Sequence, residues 1–159
     1  MRNRLAVALA VLALGASAPA QARDDKNMFP IKAALGKGQA FKEKLESDIP
    51  LYFGKQKTPA VDKRLGEWTS NKKTNAFNKS DQEACEVAFI SAAASLQQRA
   101  RREGGSAVVN IRSVYKNDNI ESEKDYLCGN GAVMAGVALR GTVVTFKPGA
   151  TAATKSGKK

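Results

Sequence analysis

Ser80-Asp81-Gln82-Glu83-Ala84-Cys85-Glu86-Val87-Ala88-Phe89 opens the stretch that decides the fold. It continues to Gly104-Gly105 and then into Ala107-Val108-Val109-Asn110-Ile111-Arg112-Ser113-Val114-Tyr115. Ser80 and Glu83 have the spacing of a capping box, in which the serine hydroxyl accepts the glutamate amide and the glutamate side chain returns to the serine amide. A helix therefore starts here. Its apolar stripe runs through Cys85, Phe89, Ala92, Leu96 and Ala100, with Ala84, Val87, Ala88 and Ser91 beside it. Small residues at Ala88 and at Ala92-Ala93-Ala94 allow close approach to a sheet, and Gly104-Gly105 ends the helix. Arg99, Arg101 and Arg102 fall in the last turns, where cations meet the negative end of the helix dipole. The β-branched run that follows reads as a strand, with Val109, Ile111 and Ser113 on one face and Val108, Asn110, Arg112 and Val114 on the other.

Beyond that strand, residues 116–119 read as a turn and residues 120–127 as a weakly alternating exposed or edge strand. Residues 131–146, rich in Ala, Val and Gly, read as a long buried strand with a break near Arg140-Gly141. A helix there would have to absorb Gly131, Gly136 and Gly141 at about 1 kcal/mol each, so these glycines mark bulges or close backbone contacts instead. Upstream, Asp48-Ile49-Pro50-Leu51-Tyr52-Phe53-Gly54 suits a short strand that its proline keeps at an edge, and Arg64 to Thr69 a second one. Residues 23–47, with a short helical pattern near Phe41 to Leu45, read as a flexible leader, and residues 147–159 as a disordered basic tail. The fold class is α+β: one small domain over residues 48–146, with one long helix packed on a mostly antiparallel sheet.

Composition bounds the rest. The chain has 159 residues, 43% hydrophobic, with 26 Lys+Arg against 15 Asp+Glu and no His, enough for one domain with one modest core. Without His, Ser-His-Asp and Cys-His nucleophile systems and His-based metal sites are excluded. Residues 1–22 combine Arg2 and Arg4, an apolar run from Leu5 to Leu14, and Ala18-Pro19-Ala20-Gln21-Ala22, the layout of a secretory signal peptide. Cleavage is expected after Ala22, with the bonds after Ala18 and Ala20 as alternatives. The apolar run is about half the length of a membrane span, and no Cys follows it to carry a lipid. The mature protein is therefore expected to be soluble and periplasmic or secreted.

Removing Arg2 and Arg4 leaves 24 basic against 15 acidic residues, or +9, and only about +5 before the tail. The most basic internal stretch, Asn71-Lys72-Lys73-Thr74-Asn75-Ala76-Phe77-Asn78-Lys79, carries three lysines and one aromatic. A nucleic-acid site needs a longer stripe with interleaved aromatics, so this reads as a solvated loop and no nucleic-acid partner is expected. Lys72, Lys73, Phe77 and Lys79, together with the single Trp68, form the candidate interaction surface. The plainer reading of Trp68 is an anchor at the rim of the core.

In an oxidising compartment Cys85 and Cys128 are expected to pair, stapling the helix start to the sheet across a loop of about forty residues, a constraint worth about 4 kcal/mol. A redox-active or metal-binding pair would call for a C-x-x-C spacing or nearby His, and neither is present. Glu121, Glu123 and Asp125 alternate, so on a strand they would share one face. That is either a carboxylate cluster for hydrolysis or, more simply, a charged edge that deters aggregation. No metal and no cofactor is expected.

The helix, the run from Ala100 through Ile111, Cys128 and the strand from Gly131 to Leu139 together resemble the YbjQ-like group of small α/β domains. That group includes the periplasmic domain of the Rcs-pathway envelope-stress sensor lipoprotein. The resemblance places Cys85 and Cys128 at one of that sensor's disulfides. Ser113 and Met134 stand where its second pair would be, and its lipid-bearing cysteine has no counterpart. Over roughly residues 51–146 the chain is also similar to short exported bacterial proteins often labelled "excinuclease ATPase subunit". Leu51-Tyr52-Phe53-Gly54, Lys73 through Ser80, and Gly131 through Leu139 carry that likeness. The label does not fit the chemistry: no Gly-x-x-x-x-Gly-Lys-Ser/Thr loop is present, Gly36-Lys37-Gly38 is too short, and Ser156-Gly157-Lys158-Lys159 lies in the tail. The function these readings imply is an exported, non-catalytic binding or interaction domain in envelope homeostasis or stress, acting on an envelope protein or as a homo-oligomer. A metal-binding or small oligomeric domain and a carboxylate hydrolase are the alternatives.

Overall fold

The computed structural model describes residues 23, 25–36 and 43–150. In chain order its elements are β1 (Asp25–Pro30), α1 (Ile31–Gly36), β2 (Leu51–Phe53), β3 (Val61–Asn75), α2 (Asp81–Arg102), β4 (Ala107–Ser113), β5 (Asp125–Asn130) and β6 (Met134–Phe146). The expected signal segment, with its cleavage site after Ala22 and the alternatives after Ala18 and Ala20, lies outside the described residues, as do residues 24, 37–42 and 151–159.

Helix α2 begins where its cap dictates, with the Ser80 hydroxyl accepting the Glu83 amide at 3.2 Å. It ends in a Schellman motif: Gly104, at φ +71°, donates to Arg101 O, and Gly105 donates to Ala100 O. A Cβ on Gly105 would fall 2.3 Å from Val143 Cγ1, so the second glycine lets the helix end rest on the sheet. Cys85, Phe89, Ala92, Leu96 and Ala100 are all buried, as the apolar stripe requires.

The sheet has six strands and is organised around β6. Along one side of β6 lies β3, antiparallel over its whole length. Along the other, β4 pairs with the C-terminal half of β6 and β5 with its first residues. β1 extends the sheet antiparallel to β5, and β2 extends it parallel to β4. This is the expected α+β architecture, mostly antiparallel, with one long helix on one face.

That helix side is dry. Ala135, Val137, Leu139 and Val143 of β6 pack with Phe89 and Leu96 of α2. An aromatic column crosses it: Phe53 to Phe89 at 5.7 Å, Phe89 to Tyr126 at 4.2 Å, and Tyr126 to Phe29 at 6.1 Å between ring centroids. Cys85 and Cys128 form the expected disulfide between the first turn of α2 and β5, with Cα atoms 5.9 Å apart. Gln97 clasps the segment before β2, accepting from Glu46 N and donating to Glu46 O and Ile49 O.

Several elements depart from expectation. Residues 25–36 are not a flexible leader: β1 completes a ladder on β5, Phe29 reaches Tyr126, and Ile31 and Ala34 are buried. The apolar run there is too short to show a period, and its partner comes from the far end of the chain. β3 spans 15 residues, so residues 71–75 are strand and not loop; the 13-residue β6 templates them although their own side chains are polar. Residues 120–127 do not form one strand. Ile120 makes an isolated bridge to Ser113, the next residues turn, and β5 starts at Asp125 with Cys128 inside it. The interruption expected at Arg140-Gly141 lies in the facing strand: β6 is continuous, whereas β4 shifts register between Val109 and Arg112, with Asn110 at φ 52°. After β6, Lys147 N donates to Ala60 O, one step beyond the last β3–β6 pair, and Ala150 N donates to Lys147 O to close a turn.

Candidate functional site

Where β4 ends, Val114 N still donates to Ala138 O, and the chain then carries Tyr115 over the sheet face opposite α2. Beneath it Gly129 of β5 pairs with Gly136 of β6. A Cβ at Gly129 would sit 2.1 Å from Tyr115 Cζ, and one at Gly136 would meet the same ring at 3.4 Å. Two facing glycines thus form the flat seat of an aromatic ring, the close approach that strand glycines permit. Lys116, at φ 55°, holds its ammonium 5.6 Å from the ring centroid, within cation–π reach.

Between that ring and the β5–β6 turn runs an open groove of about 650 Å³ lined by Arg23, Lys73, Tyr115, Lys116, Val133 and Met134 among others. Among the described residues its charged lining is Arg23, Lys73 and Lys116. Arg23 at one end is itself paired with Asp25 and Asp81. Val133 and Met134 are 59% and 46% exposed. Beside them stands Phe77, 64% exposed, on a turn joined to theirs by Ala76 N donating to Val133 O. That turn is rigidly built: Phe77 N donates to Asn75 Oδ1 at 2.7 Å, Lys79 N donates to Ala76 O, and Asn78 takes φ 57°. An outward-held phenylalanine next to an exposed valine and methionine is a surface the fold itself does not require.

The five residues read from sequence as an interaction surface divide between two places. Lys73, Phe77 and Lys79 lie at this end of the molecule, the Lys79 ammonium donating to Asn75 O. Lys72 points to the helix side, where it lines a separate polar cavity with Ser91, Ser95 and Gln98. Trp68 is also on that side, half-buried against the core, with the Arg99 guanidinium 4.8 Å over its ring. Sequence reading missed Tyr115, Val133 and Met134. The paired glycines 129 and 136 were the available signal, since both leave room on one face.

The three alternating carboxylates do not share a strand face. Glu121 and Glu123 precede β5, Glu121 lies 3.6 Å from the Lys55 ammonium, and Ser122 Oγ accepts from Lys124 N and Asp125 N to turn the chain. Among the described residues, no group of three or more His, Cys, Asp or Glu is placed to hold a metal ion, and no helix is long and apolar enough to cross a membrane. On the open face Arg112 instead grips Glu67 through both carboxylate oxygens, at 3.1 and 3.0 Å, while Arg140 donates to Thr69.

No protein-family model matches the chain, and no curated protein matches it.

Proposed function

We propose that the chain is an exported, non-catalytic interaction domain that serves envelope homeostasis. Its contact surface is the end of the sheet built by Phe77, Val133 and Met134 beside the cationic groove. The observation that carries this reading is the exposure of those three apolar side chains, Phe77 and Val133 on hydrogen-bonded turns and Met134 at the start of β6. Buried disulfides form in oxidising compartments, so the Cys85–Cys128 bond supports export. The partner that fits is a protein segment with apolar side chains flanked by carboxylates, which would meet Lys73 and Lys116 at the groove rim.

The test places a photo-crosslinking side chain at Val133 or Phe77 in the native host, with exposed Gln98 on the helix side as control. A discrete adduct from the first two positions and none from the third is expected, together with an intact mass matching residues 23–159 less two hydrogens. Equal labelling at all three positions, or free thiols on full-length protein, would overturn the reading.

A further inference from the structure

Strand β3 is bonded along one side to β6, and no strand among the described residues pairs with its other side. Its two halves treat that open edge differently. Register shifts at Val61/Lys63 and Arg64/Gly66 and the charges of Asp62, Lys63 and Arg64 disrupt the first half, the usual protection of an edge. From Glu67 to Asn75 the register is unbroken and no proline intervenes. This regular stretch presents alternate backbone N–H and C=O groups outward, a template for one more strand.

We infer that the strand it accepts is β3 of a second copy, antiparallel, about a two-fold axis through Ser70. In that register Glu67 stands opposite Lys73 of the other copy, twice by symmetry. Lys72 stands opposite Trp68, and Thr69 opposite Asn71. Glu67 and Lys73 both lie on the open face, since they pair with Thr142 and Gly136 of β6. Trp68 and Lys72 both lie on the helix face, opposite Gly141 and Val137. Every lysine of the regular half thereby meets a carboxylate or an aromatic ring, the cross-strand pairs that stabilise antiparallel ladders. Neighbouring two-fold registers lose this: centring on Asn71 sets Lys73 against Thr69, and centring on Trp68 sets Lys73 against Lys63 and Lys72 against Arg64. The self-complementarity is that of an isologous interface, and it joins two sheets into one of twelve strands. This inference does not rest on the groove being a binding surface.

The experiment is sedimentation equilibrium on the oxidised mature chain and two charge reversals, Lys73→Glu and Glu67→Lys. Wild type is expected to be dimeric at micromolar concentration. Each reversal alone sets like charges across the axis twice and weakens self-association about tenfold or more. Mixing the two variants restores the dimer, because the mixed pair matches Glu with Lys at both sites. Lys63→Glu, the same charge change outside the regular half, leaves the dimer intact. If Glu67→Lys disturbs folding through its lost Arg112 contact, Thr69→Cys/Asn71→Cys takes its place. Those two positions face each other only across the axis, so disulfide-linked dimers form in the double variant and in neither single one. A wild-type monomer up to about 100 µM would mean that Lys72 and Lys73 merely guard the edge. Dimers indifferent to Lys73→Glu would mean that another surface is used. Either result overturns the inference, and neither bears on crosslinking at Val133.

Discussion

The two faces of β6 use the same small residues for opposite ends. Gly141 looks toward the helix side, where an added Cβ would lie 2.5 Å from Val108 Cγ1 and 3.0 Å from Ile111 Cγ1, both in fully buried side chains. Gly136 looks the other way, and with Gly129 it seats a Tyr115 ring that is only half-buried. On the first face the missing side chain is a packing condition, answered by interlocked methyls. On the second it positions a ring at the surface. The helix side should therefore fail by unfolding when altered, and the open face by losing its shape while the fold survives.

The largest effect expected is on the dry face. Phe89→Ala removes one of the two inner rings of the aromatic column, and its loss should cost about 3–5 kcal/mol in urea denaturation. Cys85→Ala/Cys128→Ala releases a constraint over a sequence separation of 43 residues, worth about 4 kcal/mol in the chain-entropy model. A cost below about 1 kcal/mol for the cysteine pair would show that packing alone fixes α2 on β5.

Next come the glycines, which test the comparison directly. Gly141→Ala has no free space and should cost about 1–3 kcal/mol by overpacking. Gly129→Ala meets only the far end of the Tyr115 side chain, which can swing away, so the cost should be about 1 kcal/mol or less. Its signature is a changed Tyr115 ring resonance, and in a Tyr115→Ala background the substitution should cost nothing further. Equal costs at Gly141 and Gly129 would erase the distinction between the faces.

The same distinction explains what was legible in the sequence. α2 was readable to its caps because a capping box and a Gly-Gly stop are local chemistry, and β4 because β-branched residues cluster there. The disulfide followed from there being two cysteines behind an N-terminal segment that reads as a signal peptide. β1 and the C-terminal half of β3 were not readable, because each owes its conformation to a partner strand distant in sequence. The polar composition of Asn71 through Asn75 states only that one edge and one face meet water. Of the candidate surface, Phe77 and Lys73 were visible as an exposed aromatic in a basic run. Tyr115, Val133 and Met134 were not, because only the Gly129–Gly136 register brings them together. The carboxylates failed as a cluster because Ser122 turns the chain where alternation had suggested a strand.

A smaller effect separates burial from bonding within the dry face. Tyr126 is 1% exposed, and its hydroxyl has no hydrogen-bond partner among the described residues. Burial, and secondarily the charge of Glu86, push its ionisation well above the ordinary value of 10.0. The unfolded chain then releases this proton first as pH rises, so the stability the neutral phenol confers is complete below about pH 10 and declines above it. Tyr126→Phe keeps the ring and removes the unbonded hydroxyl. Its stability at pH 7 should lie within about 1 kcal/mol of wild type, on the stabilising side. Its alkaline limb should be shallower but still present, because Tyr52 is shifted upward by burial too. A loss above about 1.5 kcal/mol at pH 7 would mean that the hydroxyl is bonded in solution.

The smallest effect is expected where the exposed surface is most apolar. Phe77→Ser, Val133→Ser and Met134→Ser change side chains that are 64%, 59% and 46% exposed, and each should alter stability by no more than about 0.5 kcal/mol. The bond that ties the two turns together, Ala76 N to Val133 O, is backbone and survives all three changes. Thermal melts of the triple variant should therefore superimpose closely on wild type, while the adduct formed from a crosslinker at neighbouring Ala132 disappears. That pairing of results is what separates a surface kept for a partner from one kept for the fold. If the triple variant instead melts several degrees lower, the three side chains pack on each other and on the β3–β6 end, and the open face would then be held together by the same burial as the dry one.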